Sequence, residues 1–132
     1  MKFFQPEGWK RPSGYSKGIA VRGEQIFIAG QIGWNERAEI VSEDFAEQAS
    51  QALRNVVAVL RCAGADAQHV VRMTWYVTDK LEYLAASQRI AAVYRKNFGD
   101  HYPAMTLVQV AALLEDGAKV EIEATAVVPK DR

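Results

Sequence analysis

The spacing of apolar residues changes period several times along this 132-residue chain. Phe45, Ala49, Ala52, Leu53, Val56, Val57 and Leu60 recur at intervals of three and four, which predicts a helix burying one stripe. Ser42 is placed to cap it, Glu43 and Asp44 suit its first turn, and Gly64 suits its end. A second helix is predicted over about Leu81–Asn97, closed by Gly99. Strand periodicity marks Val70–Thr78, with Val71, Met73, Trp75 and Val77 on one face and Val70, Arg72, Thr74 and Tyr76 on the other. Lys119–Val128 alternates too: Val120, Ile122, Ala124 and Ala126 against Glu121, Glu123 and Thr125. Two short strands, about Ile19–Arg22 and Gln25–Ala29, flank Gly23-Glu24 and predict a hairpin. Pro6, Gly8, Pro12 and Gly14 predict an irregular arm over residues 1–14, with Phe3, Phe4 and Trp9 packing it down.

The stretch Asp100–Val110 turns at Pro103 and continues as a strand. Ala104, Thr106, Val108 and Val110 point one way, and Met105, Leu107 and Gln109 the other. The order is therefore β-β-α-β-α-β-β, within one domain spanning 1–132. Two amphipathic helices cover one face of a mixed sheet, giving an α+β two-layer sandwich, and the second helix joins parallel strands. The uncovered face is expected to show Met105 and Leu107. An apolar sheet face of that kind calls for a cover, so a homo-oligomer with pockets between subunits is expected.

Sixteen basic and sixteen acidic residues cancel, so no net field draws nucleic acid to the chain. A single cysteine, Cys62, excludes an intrachain disulfide and a cysteine metal centre; it is expected to be an inert, partly buried thiol. The N-terminus lacks the apolar core of a signal peptide, and no apolar run approaches membrane-spanning length. A cytoplasmic protein without membrane or nucleic-acid partners is expected.

The candidate chemistry is sparse. Glu121 and Glu123 share the strand face opposite the core row, and either hold water in a partly covered site or sit solvated on a rim. Tyr15 and Ser16 either offer hydroxyls to a ligand or pack at a loop–strand junction. Gly30-Gln31-Ile32-Gly33 marks a bulge, a close backbone approach or a plain bend. His69 and His101 lack metal-ligand spacing and are weak catalytic candidates. Phosphate-loop, dinucleotide and nucleophile-elbow motifs are absent.

Gly14-Tyr15-Ser16, Ala29-Gly30-Gln31-Ile32, Val77-Thr78-Asp79, Tyr94 through Gly99, Pro103-Ala104, Val108 through Leu113 and Val120-Glu121-Ile122-Glu123-Ala124 together resemble the RidA/YjgF family, the reactive-intermediate deaminases. The likeness covers Gly14 to Val127. It implies a homotrimer with ligand clefts between subunits, no metal or organic cofactor, and hydrolysis of enamines and imines such as 2-aminoacrylate. It also implies roles: Glu121 as the carboxylate that positions water, Tyr15 as a pocket tyrosine and Gly30 as a backbone contact. Met105 stands where active members carry the arginine that grips the substrate carboxylate, Leu107 where they often carry a cysteine, and Ala91 near a position some fill with asparagine. A charge-assisted bidentate grip is worth roughly 1.5–3 kcal/mol and a thioether supplies none of it. The chain thus resembles an arginine-less branch in which 2-aminoacrylate is a poor substrate.

The expected function is binding or hydrolytic deamination of a small enamine or imine that lacks the usual carboxylate or is anchored elsewhere; Trp34, Trp75 and Arg72 are the candidate anchors. The alternative is a non-catalytic trimer that binds a metabolite as a sensor or chaperone-like partner. Endoribonuclease activity, attached to some relatives, fits the neutral charge poorly.

Overall fold

The computed structural model describes residues 1–130, so the last two residues of the expected 1–132 unit lie outside the described chain. Its elements are β1 (Lys2–Phe4), β2 (Gly18–Ala20), β3 (Glu24–Ile32), α1 (Phe45–Cys62), β4 (Val70–Val77), α2 (Lys80–Ala85), α3 (Ser87–Phe98), β5 (Ala104–Gln109) and β6 (Val120–Val128). The main sheet has the order β3-β6-β4-β5. Strands β4 and β5 run parallel, joined over the helices, and the other pairs are antiparallel. Helices on one face of a mixed sheet make the expected α+β sandwich. Among the described residues no helix is long and apolar enough to cross a membrane.

The helical stripe reads through faithfully: all seven predicted α1 positions are buried, against β3, β6 and α3. Its cap, however, is Asp44 rather than Ser42. The Asp44 carboxylate accepts from the Glu47 N–H at 2.9 Å, while Ser42 Oγ accepts from the Asp44 N–H at 2.9 Å, two residues too early to start the helix. Gly64, with φ 71, follows the Ala63 C-cap as expected.

Other expectations are corrected. Strands β2 and β3 do not form a hairpin: β2 pairs with β1 and β3 with β6. The first 14 residues are accordingly not wholly irregular, since β1 lies among them. The long second helix breaks at Ala86 into α2 and α3, a break the apolar pattern does not contain. A bulge between Val70 and Arg72 lets Val70 join the core despite its parity. Cys62 is exposed, not partly buried, because it falls outside the α1 stripe.

The largest correction concerns β5. Met105 registers with Met73 and Leu107 with Trp75, both of which are buried under the helices. Met105 and Leu107 therefore pack against the core on the helix side. The open face carries Arg72, Thr74, Tyr76, Thr106, Glu121, Glu123 and Thr125, with Phe27 and Val108 as its exposed large apolar groups. That face is mostly polar, and the inference of an apolar sheet needing a cover does not hold.

One buried polar side chain ties the layers together. Gln48 on α1 is fully buried; its Nε2 donates to Ser42 O at 2.8 Å and Gly117 O at 2.9 Å, and its Oε1 accepts from Lys119 N at 2.8 Å. Gly33 admits this contact, because a Cβ there would meet Gln48 Cα at 2.6 Å.

Helix α3 is tied to the α1 cap. Arg89 donates to both Asp44 carboxylate oxygens, at 2.9 and 2.7 Å. These bonds, with the helix N–H, hold the Asp44 pKa below its ordinary value. A depressed native pKa stabilises the fold above the unfolded value of about 3.9 and loses that stabilisation as pH falls through the native value. In urea melts, wild type should exceed Asp44→Asn in stability at pH 7, and the gap should close below about pH 4. A gap that stays constant down to pH 2.5 would contradict this role of the charge.

Candidate functional site

The candidate residues fall on two faces of one sheet. Strand alternation and the β4–β5 register place Met105 and Leu107 under the helices. Glu121, between the fully buried Val120 and Ile122 and opposite Tyr76, lies on the open face.

On the helix side a cavity of about 270 Å³ lies between β4, β5 and the α2–α3 pair, its walls including Trp75, Tyr83, Ala91, Arg95, Tyr102 and Met105. The aromatic wall is well ordered by contact. Tyr94 stacks on Phe98 and Tyr102, with ring centroids 4.9 and 5.4 Å away, and donates to His101 O at 2.6 Å. Tyr83 packs edge-on against Trp75 and Phe45. Burial raises the hydroxyl pKa of both Tyr83 and Tyr94, so both remain neutral donors well above pH 7. Trp75 is 1% exposed, and its Nε1–H finds no acceptor among the described residues.

Tyr15 reaches the edge of this region through Ser16. Ser16 N donates to Pro103 O at 3.0 Å, Ser16 Oγ donates to Tyr102 O, and Ser16 bridges Ala104. Tyr15 itself lines a neighbouring cavity of about 290 Å³ with Phe3, Lys17 and Tyr102. Lys17 Nζ lies 5.5 Å from the Tyr15 ring centroid and 5.6 Å from that of Trp9. The aromatic N-terminal arm is thus held beside the start of β5.

On the open face, β3 bulges between Ile28 and Gln31, and the Glu121 side chain lies over Gly30. A Cβ at Gly30 would meet Glu121 Cδ at 2.8 Å and Cγ at 2.9 Å. The glycine therefore marks a bulge and a close approach, and the approaching group is the candidate carboxylate. Glu123 accepts from Tyr76 Oη at 2.7 Å, which with burial and the nearby carboxylates raises the tyrosine pKa. A shallow cavity of about 200 Å³ beside them is lined by Phe27, Arg72, Thr74 and Glu123.

Of the candidate anchors, only Trp75 reaches the Met105 cavity. Arg72 is on the opposite face, and Trp34 lies in the loop before α1, bridged to Ile40 and bound by Asn55 Nδ2 through its carbonyl at 2.9 Å. Both histidines are engaged in local structure: His69 Nδ1 accepts from Asp66 N at 3.0 Å, and His101 Nε2 donates to Val70 O at 2.6 Å. Among the described residues no group of three or more His, Cys, Asp or Glu side chains is placed to hold a metal ion. Arg95 was not among the sequence candidates. Its signal was the Ser87, Ala91, Arg95 spacing, which sets three cavity residues on one face of α3 beside the buried Ile90, Tyr94 and Phe98 row.

The family model described as Endoribonuclease L-PSP matches residues 9–128. Human 2-iminobutanoate/2-iminopropanoate deaminase is 36% identical over 114 residues, covering 86% of this chain and 79% of that protein. This chain belongs to the RidA/YjgF family. Among solved structures of the Rid type, YyfB from Yersinia pestis superposes with a TM-score of 0.85 at 34% identity, covering 96% of this chain and 98% of the other. TdcF of E. coli, solved with bound serine, gives a TM-score of 0.68 at 34% identity over 97% of this chain and 99% of its own. The RidA/YjgF resemblance read from the motifs is thus correct, and the fold of the family is the fold found here.

The two glycines of β3 and its flank separate a local contact from a structural one. Gly30→Ala should cost less than about 1 kcal/mol in urea, because the flexible Glu121 side chain can rotate away. Gly33→Ala should cost more than about 2 kcal/mol, since the α1 backbone at Gln48 must move. Equal losses for the two variants would mean that Glu121 is held as rigidly as the helix.

Proposed function

We propose that this RidA/YjgF protein binds a small reactive enamine or imine and hydrolyses it in clefts between the subunits of a homotrimer. The observation that carries the reading is the separation of Met105 and Glu121 onto opposite faces of the sheet. A site that uses both positions has to take one face from one copy and the other face from a second. Relatives support the chemical class: the human one is named an iminobutanoate and iminopropanoate deaminase, and TdcF was solved with serine, a small amino acid.

The reaction needs water and a proton carrier. An enamine first tautomerises to the imine; water then adds to the imine carbon, and the resulting carbinolamine expels ammonia to leave a carbonyl compound. No electrons are transferred, so the reaction requires no redox cofactor. Glu121 is the group we assign to orient the water and take its proton, with Gly30 leaving room for the carboxylate. Tyr15, Leu107 and Met105 belong to the binding wall. Met105 offers no charge to a substrate carboxylate, which defines an arginine-less branch of the family and disfavours 2-aminoacrylate.

The test is ammonia and keto-acid release from 2-aminoacrylate generated in place by a lyase. Wild type should stay near the spontaneous rate, Met105→Arg should raise it about tenfold or more, and Glu121→Ala on that background should abolish the gain with the trimer intact. Fast turnover by wild type sinks the Met105 assignment, and a rate indifferent to Glu121 sinks the water-orienting role. Saturable binding of small imino-acid analogues with no ammonia release from any imine would instead support the binding-only reading.

A further inference from the structure

We propose that Arg95, on α3, supplies the cation that β5 lacks, so that the helix-side cavity accepts a carboxylate attached to an apolar or aromatic body. The inference rests on the reading above that this cavity is one wall of the substrate site, and it names the class of ligand the wall selects.

Arg95 is the charged residue among those lining the cavity, and no carboxylate lines it. Its guanidinium is uncommitted: among the described residues Arg95 makes no salt bridge, whereas Arg89 on the same helix is taken up by Asp44. A free, exposed guanidinium at the rim of an aromatic recess presents a planar fork of donors suited to a carboxylate. Trp75, another wall residue, brings a buried N–H without an acceptor among the described residues. An anionic ligand therefore meets a cation at the rim and aromatic walls within.

The remainder of the wall sets the body of the ligand. Tyr83, Tyr94, Tyr102 and Trp75 provide ring faces and edges, and Met105 provides a thioether. Ala91, one turn before Arg95, leaves space beneath the guanidinium. The substrate class is then an anionic imine or enamine with a bulky apolar substituent, its carboxylate held from α3 rather than from β5.

Calorimetric titration of phenylacetate and of its neutral amide, phenylacetamide, tests this directly. The two probes share a ring and differ in charge. Wild type should bind phenylacetate at least tenfold more tightly than phenylacetamide, and Arg95→Met should erase that difference while leaving phenylacetamide affinity within twofold. Arg95→Lys should retain part of it. The urea midpoint of Arg95→Met should match wild type, since no ion pair is lost. In a ¹⁵N–¹H spectrum, phenylacetate should shift the Trp75 indole resonance, assigned by its loss in Trp75→Phe.

Absence of saturable phenylacetate binding, equal affinity for the two probes, or unchanged phenylacetate affinity in Arg95→Met would each overturn the proposal. Its failure is separable from failure of the enzymatic reading. Arg95-dependent binding with no imine turnover in any variant leaves the anion site standing and removes the deaminase. Turnover that follows Met105 and Glu121, with phenylacetate indifferent to Arg95, does the reverse.

Discussion

A β-strand shows alternate residues to opposite faces, and that parity governs what this chain can do. Strand β4 sets the phase: Met73, Trp75 and Val77 are buried under the helices, so Arg72, Thr74 and Tyr76 face away. Parallel pairing with β5 then commits Met105 and Leu107 to the helix side, and antiparallel pairing with β6 commits Glu121 and Glu123 to the other. A slip of one residue in the β6 ladder would exchange its faces and bury Glu121 and Glu123 in the core, and a slip in the β5 ladder would turn Thr106 inward in place of Met105 and Leu107. The β6 register is therefore held by the cost of burying charge as much as by hydrogen bonds.

The parts around the helix-side cavity are fixed from several directions. Strand β5 is an edge strand, and its first residue is covered by the bridge from Ser16. Its last residue, Gln109, accepts from Lys80 N at 2.8 Å and so ties the strand to the start of α2. His101 and Tyr94 fasten the segment before β5 to β4 and α3. On the far side Gln48 fixes α1 to the loop entering β6, and Lys119 Nζ reaches Glu82 on α2 at 2.8 Å. The cavity walls are thus attached at both ends of the elements that bear them, which favours a preformed recess over one shaped by its ligand.

Much of this was legible in the residues. The α1 stripe and the β6 alternation have one clean period each, and both were read without error. Strand β5 was not, because each of its rows mixes apolar residues with one polar one: Ala104 and Val108 flank Thr106 on one side, and Met105 and Leu107 precede Gln109 on the other. The parallel pairing with β4 was expected, but the facing depends on the register of that pairing, which a helical crossover leaves unmarked in the local sequence. The partner of β2 was missed for the same reason, since a near neighbour in sequence competed with Lys2–Phe4 from the far end of the arm. Motif resemblance found Gly30 and Glu121 as separate positions; only the fold shows that the carboxylate lies over the glycine. Arg95 escaped because stripe analysis keeps the buried row of a helix and discards its flank.

Met105 is more than a missing charge. An arginine pointing into a recess walled by Trp75, Tyr83 and Tyr102 would surrender much of its hydration, and an anion would have to compensate for that cost. A methionine there has no such requirement; it is flexible and polarizable, and it favours aromatic edges. On the proposed reading, the exchange would lower affinity for a minimal carboxylate, whose charge is nearly all it offers, and raise the relative value of ring and alkyl contacts. A cation at the exposed rim on α3 would keep its water until a ligand arrives, and so would select for charge at smaller cost to the empty site. Selectivity would then pass from a deep bidentate grip to the shape of an aromatic recess with charge at its mouth. Such a wall would reject the smallest imines for want of contact area rather than by repulsion.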